Sequence, residues 1–164
     1  MRDVTILSGG QTGADRAALD FALEFGFAHG GWCPRGRLAE DGPIDERYEL
    51  QETPSRRYAQ RTEWNIRDSD ATVVFSIVRE VTGGTALTIA LARRLSKPCL
   101  HLSSEEMSAT GGNPADELLA FLAEHHVSRL NVAGPRASQE PLVAEFVRSV
   151  LVAALDRGDG VARP

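Results

Sequence analysis

Glycines grouped with hydroxyl side chains recur in three stretches of the chain. They are Ser8-Gly9-Gly10-Gln11-Thr12-Gly13-Ala14-Asp15, Thr82-Gly83-Gly84-Thr85 and Ala133-Gly134-Pro135-Arg136-Ala137-Ser138. Glycine reaches positive φ and lets backbone N–H groups approach a ligand with no Cβ in the way. A helix that starts at such a turn offers unpaired N–H groups and a positive dipole end to an anion. Gly9, Gly10, Gln11, Thr12, Gly13, Gly83, Gly84, Thr85 and Gly134 are therefore candidates for holding a phosphate, with Thr12, Thr85 and Ser138 able to add hydroxyl donors. One such turn is as readily a plain bend in the chain. Three of them on one sheet edge favour a composite anion site. The first turn is not G-x-G-x-x-G, and no lysine follows in the Walker position, which weighs against dinucleotide and P-loop chemistry.

Charged residues near these turns divide into two groups. Arg136 follows the last turn, and a guanidinium suits bidentate phosphate contact. Arg35 and Arg37 lie in a long loop and could close over a ligand or stay solvated. Arg56, Arg57 and Arg61 have near-helical spacing and read as an exposed basic face. Asp15 sits in the first turn of the first helix, where a carboxylate favours the dipole without further purpose. Beside a phosphate it would repel. Its alternatives are a ribose-type hydroxyl, a pterin-type amine or a Mg²⁺ ion, and it is the one catalytic candidate. The four histidines lack metal-ligand spacing, so no metal site is expected. His101, near a strand end, could face the site. No nucleophile–base pair is legible.

These residues need a frame that brings them together. Val4–Leu7 reads as a buried strand, and the apolar spacing from Ala14 to Phe25 predicts a helix with Gly26 as its C-cap. His29–Cys33 reads as a second strand, followed by a loop over 34–52 with no periodicity, a length that is often functional. Thr53-Pro54 predicts a helix start, with the helix running to about Asp68. Ala71–Val78 is the clearest strand. A helix over Ala86–Leu95, a strand over Pro98–Leu102 and a polar loop over Ser103–Gly112 follow. Asn113-Pro114 opens a helix ending near His126. Arg129–Ala133 is a strand, and Gln139–Leu155 a closing helix. The alternation predicts a Rossmann-like, doubly wound α/β fold: a mostly parallel five-stranded sheet with helices on both faces. Ligands of such sheets bind at the C-terminal strand edge. One domain is expected over 1–157, with a flexible tail over 158–164. The stripe Val143, Phe146, Val147, Val150, Leu151 and Ala154 could serve a core or an interface.

Bulk properties narrow the function classes. A chain of 164 residues suits one domain. Its net charge of −5 argues against a general nucleic-acid binder yet leaves room for a small anionic ligand at a helix terminus. No apolar run approaches the ~20 residues of a membrane helix, and the N-terminus lacks signal-peptide architecture. Cys33 and Cys99 form no disulfide framework and read as buried small hydrophobes, so a cytoplasmic location is expected.

Residues Gly9-Gly10-Gln11-Thr12-Gly13-Ala14-Asp15-Arg16 through Asp20 resemble the opening motif of the molybdenum-cofactor carrier proteins. Gly31-Trp32-Cys33-Pro34-Arg35-Gly36-Arg37 with Glu40-Asp41-Gly42 is similar to that family's next block, as are Thr82-Gly83-Gly84-Thr85 and Asn131-Val132-Ala133-Gly134-Pro135-Arg136. The resemblance covers nearly the whole chain. It implies a homo-oligomer, dimer or tetramer, that binds molybdenum cofactor, a molybdate-like oxyanion or a nucleotide-like phosphate compound. The wider group includes the LOG phosphoribohydrolases and the DprA-like proteins. The LOG enzymes keep a catalytic glutamate in the spacing G-T-x-x-E, where this chain has Thr88 after Gly84-Thr85-Ala86-Leu87. That departure points to carrying rather than catalysis. Cleavage of an N-glycosidic bond in a nucleoside monophosphate or ADP-ribose-like compound is the alternative, with Asp15 substituting for the glutamate.

Overall fold

The computed structural model describes residues 3–156, so the tail expected over 158–164 lies outside the described residues. The elements are β1 (Thr5–Leu7), α1 (Ala14–Phe25), β2 (His29–Gly30), β3 (Trp32–Cys33), β4 (Leu38–Ala39), β5 (Gly42–Pro43), β6 (Gln51–Glu52), α2 (Tyr58–Arg67), β7 (Ala71–Ser76), α3 (Gly83–Arg94), β8 (Cys99–Ser103), α4 (Ser104–Thr110), α5 (Pro114–Glu124), β9 (Arg129–Ala133) and α6 (Val143–Leu155). The main sheet has five parallel strands in the order β2-β1-β9-β7-β8. This is the Rossmann-like α/β architecture expected.

Alternation along the strands divides the core. Val73 and Phe75 face α1, α5 and α6, where Phe21, Leu118, Leu130 and Leu151 are almost fully buried. Each such side chain stabilises the fold by about 1.5–3 kcal/mol. The other face carries α2 and α3 over a smaller cluster of Ile66, Leu91 and Ala92. There the strands present Thr72, Ser76 and Asn131, all buried. The apolar stripe of α6 is core: Val143, Val147, Val150, Leu151 and Ala154 are buried, and Phe146 meets Phe75 edge-on at 5.7 Å.

Four local expectations change. Gly31, at φ 129°, divides the expected second strand into β2, paired with β1, and β3, paired with β6. The aperiodic 34–52 segment contains the small β4–β5 hairpin, organised by Arg37, which donates to the carbonyls of Ile44 (2.9 Å), Asp45 (2.7 Å), Tyr48 (2.9 Å) and Leu50 (3.3 Å). Thr53 is no helix cap: its hydroxyl bonds the carbonyls of Cys33 and Ser55, and α2 begins only at Tyr58. The polar loop expected at Ser103–Gly112 is a helix, α4, whose cap Ser103 accepts from Glu106 N. It buries no residue, so apolar periodicity could not reveal it.

Counted cyclically from β7, the strand order becomes 2-1-3-4-5. That is the flavodoxin-like doubly wound order, with its switch point between the first and third strands, here β7 and β9.

Candidate ligand-binding site

At the C-terminal edge of β1, β9 and β7 a cleft opens between α2 and α3. All three glycine turns reach it through Gly9 and Gln11, Gly84 and Thr85, and Gly134 and Arg136, with Asp15 beside them. The remaining candidates lie elsewhere. Gly10, at φ 77°, packs toward Ile44 and Leu50. Gly13, Thr12 and Ser138 join the first turn to the third. Gly83 starts α3 at φ 57°. Arg35 is exposed and does not line the cleft. His101 does not line it either. Its Nε2 donates to Ser76 Oγ at 2.7 Å, since the Ser76 hydroxyl proton is already given to the Val78 carbonyl.

The turns hold one another by close backbone approach. Ala14 N donates to Pro135 O at 3.2 Å, and a Cβ on Gly13 would lie 2.5 Å from that oxygen. A Cβ on Gly134 would overlap the Phe75 carbonyl oxygen and stand 2.7 Å from the Cβ of Ala14. Glu140 ties the third turn to the end of β7 by accepting from Ile77 N at 2.6 Å. Glycine at 13 and 134 is thus a packing requirement.

Arg61 is the residue that spacing placed wrongly. Arg56 and Arg57 are exposed as a basic face would require, but Arg61 is buried against the first turn. Its Nη1 donates to Gly9 O at 2.9 Å and stands 3.4 Å from Asp15 Oδ2, and a Cβ on Gly9 would overlap the guanidinium. Asp15 also accepts from Gln11 N at 3.3 Å. Burial pushes its carboxyl above the usual carboxylate range, with Arg61 opposing. Asp15 is therefore a partnered, buried acid, and among the described residues no three His, Cys, Asp or Glu side chains gather as metal ligands.

The tip of the β4–β5 hairpin occupies part of the expected anion machinery. Glu40 accepts from the hydroxyls of Thr12 and Ser138 and from Ser138 N at 3.2 Å, while Arg136 Nη1 lies 4.0 Å away. Those hydrogen bonds hold its carboxyl below the usual range. Asp41 next to it pairs with both terminal nitrogens of Arg16, at 2.9 and 3.1 Å. The donors of Thr12 and Ser138 thus serve the protein itself.

The open donors lie across the cleft. Gly84 and Thr85 stand in the first turn of α3, which has no side-chain cap, and a Cβ on Gly84 would meet nothing within 4 Å. Arg136 stacks at 5.4 Å over Tyr58, a second lining residue. Thr88, in the same lining, donates to Gly84 O at 3.0 Å and offers no acid–base group. Sequence reasoning missed Tyr58, Arg61, Asn65, Asn131 and Gln139 from this lining. Asn131 was findable as a polar residue inside a strand. Asn65, which brackets the Trp32 peptide at 2.8 and 2.9 Å, had no signal of its own.

One crystal structure, named Putative molybdenum carrier protein and coming from Syntrophus aciditrophicus SB, is 44% identical, with a TM-score of 0.88 over 93% of this chain and 94% of that one. No curated protein matches. The sequence profile of the circularly permutated YpsA SLOG family matches residues 6–155, in keeping with a strand order that becomes a familiar one when counted from β7. The chain belongs to the circularly permutated YpsA SLOG family.

Proposed function

We propose that the chain is a binding or carrier protein for molybdenum cofactor or a related phosphate-bearing, nucleotide-like molecule. The observation that carries this reading is the uncapped first turn of α3, which opens into the cleft with Arg136 among the other lining residues. A helix N-terminus with free N–H groups stabilises a phosphate, and a guanidinium adds charge-assisted contact. Tyr58 lines the same cleft and carries the Arg136 guanidinium over its ring at 5.4 Å, which helps hold that cation at the site. The name of the 44% identical structure supports molybdenum as part of the cargo.

The lining also supports carrying over turnover. Asp15 is paired to Arg61, and Thr88 stands where the LOG enzymes keep their glutamate. Assembly as a dimer or tetramer belongs to the same reading, with Leu87 of α3 exposed beside the cleft. Among the described residues no helix is long and apolar enough to cross a membrane.

The test is anaerobic equilibrium dialysis of the purified protein with molybdenum cofactor released from a molybdoenzyme, together with a nucleotide turnover panel. Saturable binding without turnover is expected. Absent binding, or hydrolysis of a nucleoside monophosphate that vanishes in Asp15→Ala, would overturn the proposal. Sedimentation equilibrium showing a monomer would remove the oligomer from it.

A further inference from the structure

Gln11 is buried, at 4% exposure, and lines the cleft. Its carboxamide oxygen accepts from Thr12 N at 3.0 Å and from Glu40 N at 2.9 Å. Two main-chain donors on one oxygen fix which end of the amide is which, because the flipped amide would set N–H against N–H. Its Nε2 is the one buried side-chain polar atom among the described residues with no hydrogen-bond partner. A buried donor left unmade is costly, and in native proteins such a group is the exception that calls for a partner. The neighbouring carboxylate does not fill the need: Asp15 Oδ2 is engaged by Gln11 N and by Arg61.

We infer that Gln11 is a specificity-determining residue: Nε2 donates to an acceptor oxygen, phosphoryl or ring carbonyl, of the bound molecule. The hairpin tip has a part in this. Glu40 N, with Thr12 N, fixes Nε2 as the unpartnered end of the amide, and the Glu40 carboxylate anchors that tip to Thr12 and Ser138. The long 34–52 segment thus acts on the ligand through Gln11, without reaching the cleft lining itself. This rests on the reading of the cleft as a site for a phosphate-bearing molecule.

Gln11→Glu is the discriminating variant. A glutamate keeps an oxygen for Thr12 N and Glu40 N, and replaces the unpartnered donor by an acceptor. The measurement is equilibrium binding of three probes to the native chain and the variant: molybdenum cofactor released from a molybdoenzyme, GMP, and inorganic phosphate. Thermal unfolding is followed in parallel. The expected result is a folded variant whose Tm is lowered by the buried carboxyl, with affinity lowered on the order of 10- to 100-fold relative to the native chain at the same temperature. The loss narrows as the pH falls, because a protonated carboxyl donates again. A loss with inorganic phosphate assigns the phosphoryl oxygen; a loss confined to GMP or the cofactor assigns the ring carbonyl. Equal affinity of variant and native chain for every bound probe overturns the role of Gln11 and leaves the cleft standing. A native chain that binds none of the probes overturns the cleft reading and the role of Gln11 with it.

Discussion

Gly84→Ala separates a glycine kept for the ligand from one kept for the fold. Gly84 lies in the first turn of α3, outside the positive-φ residues, and a Cβ built on it meets no atom within 4 Å. Alanine costs less backbone entropy than glycine in a helix by roughly 0.5–1 kcal/mol. For a chain of this size each kcal/mol moves Tm by roughly 2–4 °C. The substitution should therefore raise Tm by about 1–4 °C. The same methyl enters the space in which a phosphate would approach the N–H groups of Gly84 and Thr85. Losing one charge-assisted contact of this kind costs about 1.5–3 kcal/mol, or roughly 10- to 150-fold in affinity. Differential scanning fluorimetry gives the first number, and dialysis against molybdenum cofactor gives the second. A rise in Tm with undiminished binding would refute the placement of the anion at α3. A fall in Tm would refute the claim that the fold leaves this position open.

The other perturbations probe the frame. Gly134→Ala forces a methyl into the Phe75 carbonyl and the Cβ of Ala14, and overpacking of this kind costs roughly 1–3 kcal/mol, so Tm should drop by about 2–12 °C in the same fluorimetric assay. Arg61→Leu leaves Asp15 buried without its cation, a loss of about 3–5 kcal/mol by urea denaturation, and adding Asp15→Asn should recover part of it. Full additivity of the two substitutions would show the pair to be uncoupled. Glu40 has a depressed folded pKa, so its contribution is complete above the unfolded value of about 4.3 and is lost as pH falls through the folded value. The difference in hydrogen exchange at Ser138 N between native protein and Glu40→Gln should accordingly be present at pH 7 and shrink below about pH 4. A difference independent of pH would show that the Glu40 carboxylate does not hold the tip.

Much of the frame was legible because burial and periodicity coincide in it. Every residue of β7 is buried, and α6 repeats its apolar side chains at helical spacing, so both follow from pattern alone. The convergence of the three turns followed from parallel topology, which sends every strand's C-terminus to one edge. The residues that escaped act through tertiary contact. Arg61 has the same local spacing whether it faces solvent or the Gly9 carbonyl. The helix rotation that decides between them is set by Ile66 and Asn65, which turn the α2 face inward. Glu40 stands on a hairpin of two-residue strands, too short for any alternation to show. The capture of Thr12 and Ser138 by its carboxylate depends on where that hairpin lands. The α4 cap was present in the sequence as Ser103 three residues before Glu106, but the helix buries nothing that would have confirmed it.

The permuted chain order explains why the site tolerates the rearrangement. Joined cyclically, the elements run β7, β8, β9, β1, β2 in the doubly wound order, and the break falls between α6 and β1. Helices in such folds run opposite to the strands, so the end of α6 and the start of β1 both lie at the N-terminal strand edge, opposite the cleft. Every turn that carries the site joins a strand's C-terminus to the segment after it. A break between α6 and β1 therefore cuts none of them. What the permutation changes is which turn comes first in the sequence. The turn carrying Gln11, Asp15 and the Arg61 contact opens this chain, although β1 is the fourth strand of the doubly wound order. The site belongs to the sheet edge, whatever the order in which the chain visits it.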